Sequence, residues 1–411
     1  MNKTLFFLLI FFVQITQAQN KTDSIPKNYN FVLYDGSDLF SMHQFNQNYL
    51  SGYRIFSRTL DKVVPKKKIN TIVKSLFVGF IGMPLTHEEG HRSVLTHKGI
   101  GSISQPFFNN KGAAYVKGVT NKTLLNLRNN DLPTYIHLHT AGLESDYMLT
   151  NKMENLLAFQ EESYQMIREE YILRKLSSAL YNLTTFIPSM SPKLEEETDE
   201  LERDIVGHDI WGMTRHLHRP DMEFYRYTNI DDLTAIELKY AKKLAWRSFT
   251  NLFSPMLLGK TNFILSNNLK GNFALGHSLA PFGDFFEQNV WLLHKDKYKV
   301  GIYLREYMNK ENAFLGGGAT LHNFIIHKKW STTVGLDLWK QPKALSFLTD
   351  VSSFGGNASV KVKYHFLEKN ASLIKDLGLF TDIYYKTDGF LPEYASLDKD
   401  FGLRIGFSFS Y

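Results

Sequence analysis

Residues 400–411 at the C-terminus alternate strictly. Phe401, Leu403, Ile405, Phe407, Phe409 and Tyr411 are apolar at every second position, and Gly402, Arg404, Gly406, Ser408 and Ser410 are small or polar. Successive side chains of a strand point to opposite faces, so this period makes a β-strand with one oily face and one small or polar face. The rule repeats upstream. Tyr298, Val300, Ile302 and Leu304 oppose Lys299, Gly301, Tyr303 and Arg305. Trp330, Thr332, Val334, Leu336 and Leu338 oppose Ser331, Thr333, Gly335 and Asp337. Ala358, Val360, Val362, Tyr364 and Phe366 oppose Ser359, Lys361, Lys363 and His365. Segments near 272–281, 284–294, 297–308, 312–326, 329–339, 357–367, 376–387 and 400–411 follow this grammar and read as antiparallel strands.

A strand that ends on an aromatic last residue, here Tyr411, resembles the terminal strand of outer-membrane β-barrels, where that aromatic is part of the assembly signal. Eight strands is the smallest common size for such a barrel, and its lumen is filled by side chains. A soluble sandwich or barrel alternates in the same way. The membrane version is favoured by the aromatic load, with 32 Phe and 21 Tyr, and by the N-terminus. There Lys3, an apolar run at 5–13 and the small-residue site Thr16-Gln17-Ala18 read as a signal peptide, with the mature chain starting at Gln19. The run is too short to span a bilayer; the other reading is a retained N-terminal anchor. The localisation expected is a Gram-negative outer membrane, with outer-membrane lipid as a partner.

Composition narrows the chemistry. The chain has no cysteine, which excludes disulfides, Cys-ligated zinc, Fe–S clusters and thiol catalysis. The net charge of +6 is spread along the chain, so no nucleic-acid partner is expected. The expected class is α+β: a signal peptide at 1–18, a mostly helical domain at 19–258 and a transmembrane β-barrel at 259–411. The helical half shows three strong patterns, at 69–96, 149–180 and 231–253, the last opened by Asp231 and Asp232 as the helix dipole favours. The apolar run at 75–85 fits a buried core helix better than a membrane span. The acidic stretch at 188–202 reads as a solvated connector.

Residues 87–91 read HEEGH. On a helix His87 and His91 lie on one face and offer two imidazoles to one metal, while Glu88 stands beside the site, where a carboxylate takes a proton from water. This is the HExxH pattern. The bland alternative is a charged helix face that happens to carry two histidines. Gly90 inside the helix costs about 1 kcal/mol against Ala and hints at a close backbone approach. For the third ligand, His97 stands at the metzincin position, but Val94 occupies the place where that clan turns on glycine, and six further helical residues add about 600° of rotation. The stretch Ala141-Gly-Leu-Glu144-Ser-Asp146 offers Glu144, with Asp146, His139 and Glu154 as alternatives; Glu144 could equally be a helix N-terminal charge.

HEEGH, and more loosely AGLESD at 141–146, resemble the gluzincin-type zinc metallopeptidases over about 80 residues. The resemblance implies Zn2+ held by His87, His91 and Glu144, peptide hydrolysis by metal-activated water with Glu88 as general base, and a peptide or protein substrate. Residues 112–118 could form an edge strand for an extended peptide, or a plain hairpin. The His-rich stretch at 208–218 offers His208, Arg215 or His216 to assist at the oxyanion, and His216 with His218 to a second metal; its other reading is hydrogen-bonded core and surface histidines. The helical domain is expected on the periplasmic side. Three rivals stay open: a His-box di-iron oxygenase using HEEGH with HLH at 137–139 and 216–218, a metal-dependent lipid-modifying enzyme, and a non-catalytic barrel with a plug domain. The oligomeric state is not set.

Overall fold

A computed structural model describes residues 27–36, 41–108, 114–190, 193–368 and 376–410. The leader, its cleavage site, Gly112, Ala113 and Tyr411 lie outside the described residues. Every alternating segment is a strand. In chain order the strands are β1 (Asn28–Asp35), β2 (Ile103–Gln105), β3 (Tyr115–Lys117), β4 (Phe263–Ser266), β5 (Leu269–Ala280), β6 (Gly283–His294), β7 (Tyr298–Met308), β8 (Ala313–His327), β9 (Trp330–Pro342), β10 (Ser352–Glu368), β11 (Asp376–Lys386) and β12 (Asp400–Ser410). They form one antiparallel ten-stranded sheet in the order β1-β12-β11-β10-β9-β8-β7-β6-β5-β4, and β2 pairs with β3 separately.

The expected eight-stranded barrel is therefore a sheet of ten strands, open between β1 and β4 among the described residues. The added strand β1 comes from the other end of the chain, where a pairing with β12 (Phe31 opposite Phe407) has no local signal. The helical region is consequently an insertion between the first strand and the rest, rather than a domain that precedes the sheet.

The two faces of the sheet are inverted relative to a water-soluble sandwich. Leu336, Leu338, Leu379, Ile383, Tyr385 and Phe401 point outward and are exposed. The inner face is buried and ionic: Arg404 pairs with Asp35 and Asp382, Arg305 with Glu287, and Asp284 with Arg247 and His277. Buried charges persist when paired or hydrogen-bonded: these three are in ion pairs, and the buried Lys386 donates to the carbonyl oxygens of Thr387 and Gly389.

The sheet curls round a helix. The helices are α1 (Met42–Val63), α2 (Lys67–Phe77), α3 (Met83–His97), α4 (Asn121–Asn130), α5 (Leu132–Ala158), α6 (Tyr164–Leu183), α7 (Asp209–His218) and α8 (Ala235–Ser248). Tyr147, Asn151 and Asn155, one turn apart on α5, bond to Glu287, Asn289 and Trp291 of β6. Lys152, also on α5, reaches Glu393 between β11 and β12 at 2.8 Å. At the end of α5, Gln160 accepts from Lys27 beside β1 and from Lys270 of β5, both at 3.3 Å, so one residue ties together the regions of the two sheet edges.

The helix expected at 69–96 is continuous over Lys67–His97, with a π-helical turn at Val78–Gly82 joining α2 to α3. Its apolar run is not a buried core: Leu76, Phe80 and Ile81 are exposed while Val78 is buried. The single helix expected at 149–180 is two, broken where Gln160 takes a φ of 58°. The third pattern begins later than expected: Asp231 and Asp232 lie in a 3-10 turn, and Thr234 and Glu237 form the capping box of α8. The acidic connector is tied down, with Glu197 accepting from Tyr227 and Glu202 from Lys117.

Candidate metal centre

His87 and His91 sit one turn apart on α3, their ring centroids 4.9 Å apart. What faces them is decided by how closely α5 crosses α3. Two glycines permit the approach. A Cβ on Gly90 would overlap the carbonyl oxygen of Ala141, and a Cβ on Gly142 would overlap the Nε2 atoms of both imidazoles. The AG of AGLESD is thus the wall of the site.

Each imidazole is oriented through its other nitrogen. His87 Nδ1 lies 2.9 Å from Asp146 Oδ2, and His91 Nδ1 lies 2.7 Å from the carbonyl oxygen of Leu138. Donating from Nδ1 leaves the Nε2 lone pair for a metal, the tautomer that ligating histidines generally take. Asp146 is itself held by Arg174, which also pairs with Glu170 and donates to Thr86 at 2.8 Å.

The third group that could hold a metal with them is Asp209, the first residue of α7. Its Oδ2 is 3.2 Å from His87 Nε2 and its Oδ1 is 3.6 Å from His91 Nε2. Its amide donates to Tyr181 Oη at 3.0 Å, and Gly212 lets α7 lie against His139. Among the described residues, His87, His91 and Asp209 are the one group of His, Asp or Glu whose ligand atoms all fall within 4.8 Å. Burial would raise the Asp209 carboxyl, but His91 and His87 hold it below its usual range. Its Oδ2 faces His87 Nε2 and has no other hydrogen-bond partner among the described residues. Two imidazoles and a carboxylate, with the remaining positions open, fit a catalytic zinc ion or a non-haem Fe(II).

Glu88 is buried beside this cluster. Burial pushes its carboxyl well above the ordinary range; His87 opposes the rise, while Asp204, Asp209 and Asp146 add to it. Asp204 is itself pushed up to about 7 by burial and by Asp209, with the Gly207, Val206 and Ile205 amides pulling the other way.

The other expected residues are placed elsewhere. Glu144 turns away from the imidazole pair: its carboxylate meets His137 at 2.9 Å and accepts from the Glu393 amide at 2.7 Å. Asp146 is near, but as the partner of a histidine rather than as a third donor. Glu154 accepts from Tyr171 and pairs with Lys175. His97 is the last residue of α3 and lies outside the cluster. His139 is buried behind Asp209 with neither nitrogen hydrogen-bonded among the described residues. His208 is adjacent to Asp209, but its ring stacks on Trp211 at 3.7 Å and its Nε2 faces Thr184 at 3.2 Å. Burial lowers its pKa to about 4. His216 bonds Tyr135 at 3.3 Å and packs near His139, and His218 faces the Thr214 carbonyl. The HLH stretches at 137–139 and 216–218 therefore do not join the HEEGH cluster. Strand β3 pairs with β2, and its other edge is met by Leu201 and Ile205, which among the described residues leaves it no free edge for a peptide.

Asp209 was the residue not singled out. It reads as an ordinary acid at a helix start, and its one signal is its place inside the His-rich stretch. No family model matches this chain, and no curated protein or solved structure is significantly similar to it.

Proposed function

We propose that this chain is a metal-dependent hydrolase, a zinc metallopeptidase carried at a Gram-negative outer membrane by its curled sheet. The observation that carries the reading is the convergence of His87 Nε2, His91 Nε2 and Asp209, with both Nδ1 atoms already committed to Asp146 and Leu138. A zinc ion bound there would polarise the scissile carbonyl and acidify a water. Glu88, buried beside the imidazole pair, is the carboxylate that would accept a proton from such a water and pass it to the leaving amine. Asp146 fixes the ring of His87, and Arg174 fixes Asp146. His208 stands beside Asp209 and supports the wall through Trp211 rather than facing the imidazoles.

The membrane placement is supported by the inverted sheet, with its apolar side chains outward and its ion pairs inward. The sheet would then be a barrel wall that α5 fills. Heat-modifiable gel mobility and recovery in the outer-membrane fraction test this; recovery as a soluble periplasmic protein defeats it.

The enzymatic test is metal content, with proteolysis of a casein substrate, for the wild type and His91→Ala. Stoichiometric zinc lost in the variant together with activity supports the reading; equal, near-zero metal in both ends it. The two-histidine, one-aspartate donor set favours one second reading, a non-haem Fe(II) enzyme, which co-purifying iron would select.

A further inference from the structure

Helix α2 is built inside out for a water-facing helix. Its two buried side chains are polar: Asn70 and Lys74 bind Asp61 at 3.1 and 2.7 Å, and the half-buried Thr71 meets Glu169 at 3.3 Å. Phe77 packs on Phe56 and Tyr53, but other apolar side chains of the helix, continued into the π-helical turn, face outward. Ile69, Ile72, Leu76 and Phe80 form one stripe, exposed by 43, 58, 45 and 48%. Phe80 continues the patch edge-on to Phe108, whose neighbours Phe107 and Ile103 are also exposed. Half-exposed, these four large side chains forgo the gain that burial would bring, and contiguous patches of this kind mark a contact.

The charge at the end of the stripe says which contact. Lys66, Lys67 and Lys68 are exposed at its N-terminal end and form no ion pair among the described residues. An apolar stripe closed by a lysine cluster matches acyl chains beside anionic headgroups. The whole helix Lys67–His97 is long and apolar enough to cross a membrane by length and composition.

We propose that the exposed face of α2, with Phe107 and Phe108, lies against the acyl chains of a phospholipid bilayer with Lys66–Lys68 at anionic headgroups. His87 then stands roughly 10 Å along the same helix from Phe80, which sets the proposed metal centre next to the membrane-facing patch. This rests on the membrane reading above.

Because the chain contains no cysteine, single-cysteine variants report single positions. The full-length protein carrying Leu76→Cys, Leu336→Cys or Lys239→Cys, labelled with a fluorophore, is reconstituted into equimolar phosphatidylcholine–phosphatidylglycerol vesicles. Brominated-chain lipids are expected to remove most of the emission at 76 and 336 and little at the exposed position 239, with iodide giving the reverse order. Quenching at 336 but not at 76, with 76 open to iodide, overturns the proposal and leaves the sheet in the membrane. Shielding of 76 from both quenchers also overturns it and points to a protein contact. Absence of lipid quenching at 336 and 76 alike overturns the membrane reading itself. The K66Q/K67Q/K68Q background is expected to reduce quenching at 76 in these vesicles but not in pure phosphatidylcholine; an unchanged signal overturns the headgroup assignment.

Discussion

Gly142 presents bare backbone to the Nε2 atoms of both His87 and His91, and any Cβ at that position would occupy the space between them. Gly142→Ala should therefore push the two imidazoles apart, offsetting the roughly 1 kcal/mol helix propensity of alanine, and weaken any zinc binding. The expected outcome is a folded protein by circular dichroism with zinc content well below that of the wild type. Retained stoichiometric zinc would contradict the placement of the site.

Asp209 and Glu144 are separable. Asp209→Ala removes a donor and is expected to abolish measurable metal binding. Glu144→Gln weakens the buried contacts with His137 and the Glu393 amide and is expected to cost stability, on the order of 1–3 kcal/mol, without changing zinc binding. Isothermal titration with zinc, alongside denaturant unfolding, reads both; the opposite pattern would make Glu144 the ligand.

Asp146→Asn tests the orientation of His87. Losing an outer partner of a ligating histidine typically weakens metal affinity by about 10- to 100-fold. Competition with a chromophoric chelator measures it, and an unchanged dissociation constant would show that Asp146 serves only Arg174.

Glu393 supplies a pH signature. Burial would raise its carboxyl, but Lys152 and His43 hold it well below the ordinary carboxylate range. The folded state thus holds its proton less tightly than the unfolded chain. This contribution is complete above the unfolded pKa of about 4.3 and is lost as pH falls through and below that value. Glu393→Gln should flatten the acid limb of a stability–pH curve; a parallel downward shift of the whole curve would mean that the pairing carries no linkage.

Leu336 faces outward at mid-strand in β9. Leu336→Lys should reduce the yield of heat-modifiable protein in the membrane fraction, since a lysine at the bilayer midplane costs about 2–4 kcal/mol. Unchanged membrane recovery with improved solubility would argue for a water-facing sheet.

Strand identity was legible in the chain because alternation is a local property: at 400–410 or 330–342 each side chain's face follows from its neighbours alone. The pair His87 and His91 was legible for the same reason, one helical turn being a fixed repeat. What faces those imidazoles was not. Glu144 and Asp209 are both acids on helices near histidines, and no period distinguishes them. The choice was made by the crossing of α3 and α5, which Gly90 and Gly142 allow, and by the way α7 is laid beside them by Gly212. Likewise β1 finds β12, and α2 turns its apolar side outward, through pairings with distant segments whose cost and gain no local pattern contains.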